Sequence, residues 1–181
     1  MFVDNLFHHY VSPPTSDEAI TQTMRRYDRV DFKGCIGSVD CVHIPWNRCP
    51  AQQLNMYTGK EGYPTIAYEV VCDHTLRILS ATAGHYGSRN DKTIVRFDGF
   101  ICALKNKKIF GNVAYTLKKL EGSALDNTNN RAVSTKVYVG TYIICDGGYH
   151  NWKILREPHK HTVVYQQIRW SKWLESVRKD I

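Results

Sequence analysis

Two strand-like segments separated by only three residues constrain the fold of this chain more than any other feature. Residues 63–72 and 76–82 are rich in β-branched and aromatic side chains, and residues 73–75 between them are typical of a hairpin turn. A third segment of the same kind, residues 35–44, precedes them. This succession predicts three antiparallel strands at the start of a sheet.

Helical segments lie on either side of these strands. Residues 17–26 begin with acidic and end with basic side chains, as the helix dipole prefers, and Thr15 or Ser16 could cap them. Apolar side chains recur at roughly helical spacing over residues 91–106 and again over residues 170–181. Between these two stretches, further strands are predicted at residues 137–139 and 142–145, after a polar loop at residues 122–135.

Composition limits the class of protein. A chain of 181 residues suits one domain with a sizeable core, and its formal net charge of +7 modestly favours an anionic partner such as nucleic acid. Six scattered cysteines predict reduced thiols in an intracellular compartment. No apolar run approaches the roughly 20 residues of a membrane-spanning helix, so no membrane partner is expected.

Three aspartates, Asp40, Asp91 and Asp146, each end or follow a strand-like segment. Neighbouring strands can bring such carboxylates together, and hard divalent cations need convergent carboxylate oxygens. Each aspartate also has an ordinary alternative: a solvated acid at a strand end for Asp40, a helix cap for Asp91 and a turn residue for Asp146. A zinc site is a separate alternative, built from residues that lack the usual short cysteine spacing, namely Cys35, Cys41, His43 and Cys49.

The residues around these aspartates resemble the PIF/Harbinger transposases and the plant transposon proteins. Segments 37–43, 57–60, 87–91 and 146–149 carry the resemblance jointly, and it extends from about residue 34 to the last residue given. The order of the predicted elements matches an RNase H-like fold, an α/β fold with a mixed sheet flanked by helices. The resemblance implies a DDE endonuclease that cuts and joins DNA.

In such an enzyme Asp40 would bridge two divalent metal ions, Mg²⁺ or Mn²⁺, and Asp146 and Asp91 would complete the carboxylate set. The family places a last acid, a glutamate, on the final helix, and the matching position would be 182, one residue beyond Ile181. Neither Glu175 nor Asp180 is well placed on a helix to replace it. The chain is therefore expected to be a nuclease domain, residues 34–181, truncated in its final helix and possessing uncertain activity.

The resemblance also bears on partners. Residues 1–33 are expected to be a remnant of the helical region that precedes the nuclease domain in the family, and DNA is the expected partner. Lys60, Arg89 and Lys92 are candidates for contacts with DNA phosphates. A nuclear location and a Myb-like helper protein are implied by the family. The alternative function is a domesticated, catalytically dead remnant that binds DNA or a protein.

Overall fold

The structure, a computed structural model, describes residues 6–7, 9–120 and 133–180. Its helices include α1 (Asp17–Asp28), α2 (Leu54–Tyr57), α3 (Asp91–Ile94), α4 (Gly99–Lys105) and α5 (Tyr165–Lys179). Its strands include β1 (Cys35–Pro45), β2 (Thr65–Cys72), β3 (Ile78–Ala81), β4 (His85–Tyr86), β5 (Ala114–Leu120), β6 (Val133–Val139), β7 (Tyr142–Ile144) and β8 (Leu155–Arg156).

A six-stranded mixed sheet forms the centre of the molecule. Its strand order is β3-β2-β1-β7-β8, and the short strand β4 also pairs with β2. The pairs β1–β2 and β2–β3 are antiparallel, whereas β7 runs parallel to β1 and β8 runs parallel to β7. Strands β5 and β6 form a separate antiparallel ribbon. The predicted α/β class, with a mixed sheet flanked by helices, is confirmed.

The antiparallel start of the sheet follows from local turn chemistry. Asp73 begins the turn between β2 and β3, and its carboxylate accepts a hydrogen bond from the Thr75 backbone N–H at 2.8 Å. Leu76, with φ of 63°, completes the reversal. An Asp side chain that bonds two residues ahead is a common turn device, so the hairpin predicted at residues 73–75 is confirmed.

Helices pack on the sheet through two apolar clusters. The smaller cluster joins α1, β1, β7 and α5 through Tyr27, Phe32, Cys35, Ile144 and Leu174. The larger cluster includes Ile20 and Met24 of α1, Val39 of β1, Val71 of β2, Leu79 of β3, Ile101 and Leu104 of α4, and Ile143 of β7. Helix α1 therefore shares its core with the sheet. Ser16 caps this helix as predicted, since its hydroxyl accepts a hydrogen bond from the Ala19 N–H at 3.2 Å.

The single helix predicted over residues 91–106 is wrong, because the chain breaks between α3 and α4. Phe97 is 58% exposed at the break, and Asp98 is buried. The Asp98 carboxylate caps α4 by accepting from the Ile101 N–H at 2.8 Å, and it also accepts from the Ser80 hydroxyl at 2.8 Å. A capping acid anchored to β3 starts a new helix, which apolar spacing alone does not reveal.

The polar loop predicted at residues 122–135 lies mainly outside the described residues. At its far end the prediction is wrong, because residues 133–135 belong to β6. There Thr135 pairs with Lys118 and Ser134 with Lys119 of β5. Cross-strand pairing thus extends a strand into a polar segment that local composition assigns to a loop.

Two further features bear on the expected class. None of the helices within the described residues combines the length and apolar character needed to cross a membrane. The cysteines are all free thiols, and Cys35 and Cys145 are buried.

Candidate active site

Strands β1 and β7 place Asp40 and Asp146 side by side. In their parallel pairing Ser38 lies opposite Ile144. Asp40 and Asp146 each come two residues later, and residues two apart in extended chain share a face of the sheet. Two carboxylates separated by more than one hundred residues are therefore brought together where β7 ends. Asp40 lies inside β1, so the prediction that it ends a strand is wrong.

Asp91 approaches Asp146 from the start of α3. It is the first residue of this short helix, and the cap is its neighbour Asn90, whose side chain accepts from the Thr93 N–H at 2.9 Å. The alternative role of Asp91 as the helix cap is therefore filled by Asn90. The Asp91 carboxylate is therefore not used as the cap of α3.

The loops before Lys60 and before Asp91 pack tightly on each other. The Ser88 hydroxyl donates to the Met56 carbonyl at 2.5 Å. A side chain at Gly59 would collide with the Gly87 carbonyl, and one at Gly87 would collide with Thr65 and the Tyr57 carbonyl. The glycines of both motif segments thus permit a backbone contact that fixes the position of Asp91.

Gly148 marks the point where Asp91 and Asp146 converge. A Cβ atom built on Gly148 would lie 2.7 Å from Asp91 Oδ2 and 3.0 Å from Asp146 Oδ1. The Gly148 N–H donates to Asp146 Oδ1 at 2.7 Å, and Lys160 donates to the Gly147 carbonyl on the same turn. The turn at residues 146–148 therefore orients one carboxylate and leaves room for the other.

The charges of Asp40 and Asp91 act on the Asp146 carboxyl group. Burial raises the pKa of Asp146, and the nearby charges of Asp91 and Asp40 raise it further. The Gly148 N–H and the charge of Arg178 act in the opposite direction. Like charges gathered at one place raise a carboxyl pKa in this way and favour binding of a cation. Asp40, Asp91 and Asp146 are called the acid cluster below.

Asp40 is held by an arginine from the last turn of α5. Arg178 Nη1 lies 2.7 Å from Asp40 Oδ2, and Arg178 Nη2 lies 3.0 Å from Glu175 Oε2. The Arg178 side chain is 12% exposed and that of Asp40 is 62% exposed. The largely buried Arg178 guanidinium thus reaches outward to the accessible Asp40 carboxylate. Glu175 holds the guanidinium in place.

The acid cluster suits a hard divalent cation in donor type and in the convergence of two carboxylates. Carboxylate oxygens are the ligands that Mg²⁺ prefers, and Asp91 and Asp146 already face one point. In the described parts of the chain, however, no three His, Cys, Asp or Glu side chains are grouped so that they could hold a metal ion together. In this arrangement the Asp40 Oδ2 atom is bound to Arg178.

A fourth acid, Glu69, lies buried behind the cluster. Glu69 of β2 pairs with Cys41 of β1 and is 0% exposed. Its Oε2 lies 4.0 Å from the Cys41 thiol, which is 3.5 Å from the Tyr149 hydroxyl. Burial, with the charge of Asp98 as the next cause, raises the pKa of Glu69 to about 9. Glu69 is therefore a neutral, buried carboxyl group at neutral pH.

Replacing Glu69 with glutamine is expected to flatten the pH dependence of stability. The folded protein keeps the Glu69 proton up to about pH 9, whereas a glutamate with the ordinary pKa of 4.5 loses it far earlier. Between these pH values the folded state binds the extra proton, so stability falls as the pH rises. The slope attributable to Glu69 is about 1.4 kcal/mol per pH unit.

Urea unfolding of the parent and of Glu69→Gln at several pH values between these limits measures this slope. The exposed Glu61→Gln substitution is the matched control and should leave the slope unchanged. Equal slopes for the parent and Glu69→Gln would contradict a neutral, buried Glu69.

The three basic residues predicted to contact DNA phosphates have different surroundings. Lys60 lines a cleft of about 660 Å³ together with Asp40, Arg178 and Lys179. Lys92 is exposed beside Asp91 on α3. The Arg89 guanidinium carbon instead lies 4.8 Å from the ring centre of Tyr86 and 5.2 Å from that of Phe97. It also contacts His85 at 3.1 Å, so Arg89 has partners within the protein.

Sequence reasoning missed two residues of the site, Arg178 and Glu69. A signal for Glu69 was present, because alternation along β2 puts it on the same buried face as Ala67 and Val71. An acid on the apolar face of a strand is unusual and draws attention to its surroundings. Local spacing could not indicate the bond of Arg178 to Asp40, because the two residues are 138 positions apart.

Comparison with known proteins supports the resemblance noted in the sequence. No curated protein and no solved structure matches the chain. A family model described as plant transposon protein matches residues 8–181, nearly the whole sequence. The chain therefore belongs to the plant transposon protein family.

Proposed function

We propose that this chain carries the DDE nuclease of a PIF/Harbinger-type transposase, which cuts DNA phosphodiesters and transfers the ends with Mg²⁺ or Mn²⁺. The observation that supports this most is the meeting of Asp40, Asp91 and Asp146. They come from three distant parts of the chain. Asp91 and Asp146 converge at Gly148, and the parallel pairing of β1 with β7 puts Asp40 beside Asp146. A family of transposon proteins gives this acid cluster a natural substrate in DNA.

The strand order supports an RNase H-like fold for this nuclease. Three antiparallel strands come first, and the short strand β4 then pairs with β2. The later strand β7 lies parallel to β1 on the side opposite β2. Asp146 comes two residues after the end of β7, and a long helix, α5, lies at the end of the described residues. This is the element order that the sequence resemblance implies for the fold.

The residues have separable roles in the proposal. The acid cluster would hold the metal, which would activate water or a 3′-hydroxyl and stabilise the leaving oxygen of the cut strand. Gly148 orients Asp146 through its N–H. Lys160 braces the same turn through the Gly147 carbonyl. The packed loops around Gly59 and Gly87 keep Asp91 in reach of Asp146.

The DNA backbone would lie along the cleft that contains Asp40. Lys60 and Lys179 line this cleft and can neutralise phosphates near the acids. Lys92 extends the positive surface next to Asp91. The net charge of +7 favours such a partner. A nuclear location and a Myb-like helper that delivers the protein to transposon ends belong to the same proposal.

Cleavage of a supercoiled plasmid tests this function. The chain is incubated with Mg²⁺, Mn²⁺ or a chelator, beside a version that carries an added glutamate at position 182. Metal-dependent nicking by either version, absent with the chelator, is the expected result. Folded protein of both versions that binds the plasmid without nicking it would instead support a catalytically inactive DNA-binding module. The Arg178 contact that occupies Asp40 favours this second candidate.

A further inference from the structure

Arg178 lies where the acid cluster needs a positive charge. Its Nη1 atom lies 2.7 Å from Asp40 Oδ2. Three carboxylates gathered together repel one another unless a cation compensates them. Arg178 provides that compensation from within the chain.

The arginine is positioned to release Asp40 without leaving its own site. Its second nitrogen, Nη2, is bound to Glu175 one turn earlier on α5, and the side chain is largely buried against the protein. Asp40, by contrast, is exposed to the cleft. An ion pair with one exposed partner is weak, so a divalent cation can compete for Asp40.

We propose that Arg178 is a built-in counter-ion, which occupies Asp40 in the metal-free protein and yields it to the divalent cation. This inference rests on the proposed function, because it concerns the same acid cluster. When Asp40 is released, Glu175 keeps the guanidinium at the edge of the cleft. There it faces the space shared with Lys60 and Lys179 and adds to the positive surface offered to a DNA phosphate.

The exchange also accounts for the incomplete ligand set. Asp91 and Asp146 converge without help, whereas the third carboxylate is turned to Arg178. If Arg178 moves from Asp40, the third carboxylate becomes available beside Asp146. The site then changes from an internally neutralised state to one that binds a metal.

Nuclear magnetic resonance of the ¹⁵N-labelled protein tests the exchange during a Mg²⁺ titration. The Gly148 amide reports occupation of the acid cluster, and the Arg178 Nε–H reports release of Asp40. Both signals are expected to move with the same midpoint. In Asp40→Asn the Arg178 signal should already lie near its metal-bound position and should stay there. Arg169, an exposed arginine on the same helix, is the internal control and should not respond.

A second measurement compares Mg²⁺ affinities of matched variants. Arg178→Gln removes the competitor and should tighten Mg²⁺ binding by about threefold or more. Arg169→Gln removes the same charge from the same helix and should leave binding unchanged. Arg178→Lys keeps a charge but lacks the two-pronged contact with Asp40 and Glu175, so it should tighten binding less than Arg178→Gln.

The outcomes separate this inference from the proposed function. A Gly148 amide that moves while the Arg178 signal remains fixed would overturn the exchange and leave the metal site intact. Equal tightening by Arg178→Gln and Arg169→Gln would also overturn it, because the effect would then come from general charge. If neither the Gly148 nor the Arg178 signal responds to Mg²⁺, the exchange and the metal-dependent function fail together.

Discussion

Replacing Asp146 with asparagine is expected to lower metal-dependent DNA cleavage by about a thousandfold or more. The substitution keeps the size of the side chain and its bond from the Gly148 N–H, but it removes one carboxylate from the acid cluster. A metal ion supplies several kcal/mol of transition-state stabilisation, and about 4 kcal/mol corresponds to a thousandfold in rate. Plasmid nicking rates measured under single-turnover conditions give this ratio.

Stability distinguishes lost chemistry from lost folding in the same variant. Burial and the charges of Asp91 and Asp40 raise the pKa of Asp146, so its ionised form is disfavoured in the folded protein. A neutral asparagine should therefore leave the protein at least as stable as the parent at neutral pH. Asp180→Asn, an exposed acid at the end of α5, is the control and should cleave like the parent. Undiminished cleavage by Asp146→Asn would remove Asp146 from the active site.

Replacing Gly87 with alanine is expected to damage both stability and the site. The new methyl group would collide with the Thr65 side chain and with the backbone carbonyls of Thr65 and Tyr57. Backbone atoms held in β2 and α2 cannot move aside easily, so overpacking should cost about 1–3 kcal/mol or more. The loop that carries Asp91 would shift away from Gly148, and cleavage should fall with it.

Gly99→Ala is the matched control for this substitution. Gly99 is the first residue of α4, and a Cβ atom there would have no neighbouring atom within 4 Å. Alanine also favours helix over glycine, so stability should stay equal or rise slightly. Urea unfolding and plasmid nicking of both variants make the comparison. Equal stabilities for Gly87→Ala and Gly99→Ala would contradict the close packing of the two motif loops.

Much of the sheet could be predicted from local patterns. Strands β1, β2 and β3 coincide closely with three β-rich segments, because β-branched side chains and the turn at Asp73 act within a few residues. The placement of Asp40 within β1 and of Asp146 just after β7 could be predicted for a similar reason. Their motif segments were visible in the sequence, and parallel pairing of the two strands then brings them together.

The remaining features depend on contacts between distant residues. The break between α3 and α4 reflects the bond from Ser80 of β3 to Asp98, which spacing along one helix cannot indicate. The start of β6 at Val133 is set by pairing with β5, although the next residues, 134–136, are polar. The bond of Arg178 to Asp40 joins the last turn of α5 to β1. Each of these requires the folded backbone before the partner can be identified.

Binding of Mn²⁺ measured by isothermal titration calorimetry tests the central claim most directly, with the parent and the variants Asp40→Asn, Asp91→Asn and Asp146→Asn. The account predicts saturable binding by the parent and an affinity at least about tenfold lower in each variant, because even a supporting partner of a ligand can be worth that much. Binding of equal strength in the parent and all three variants, or no binding by the folded parent, would contradict a shared metal site at these acids.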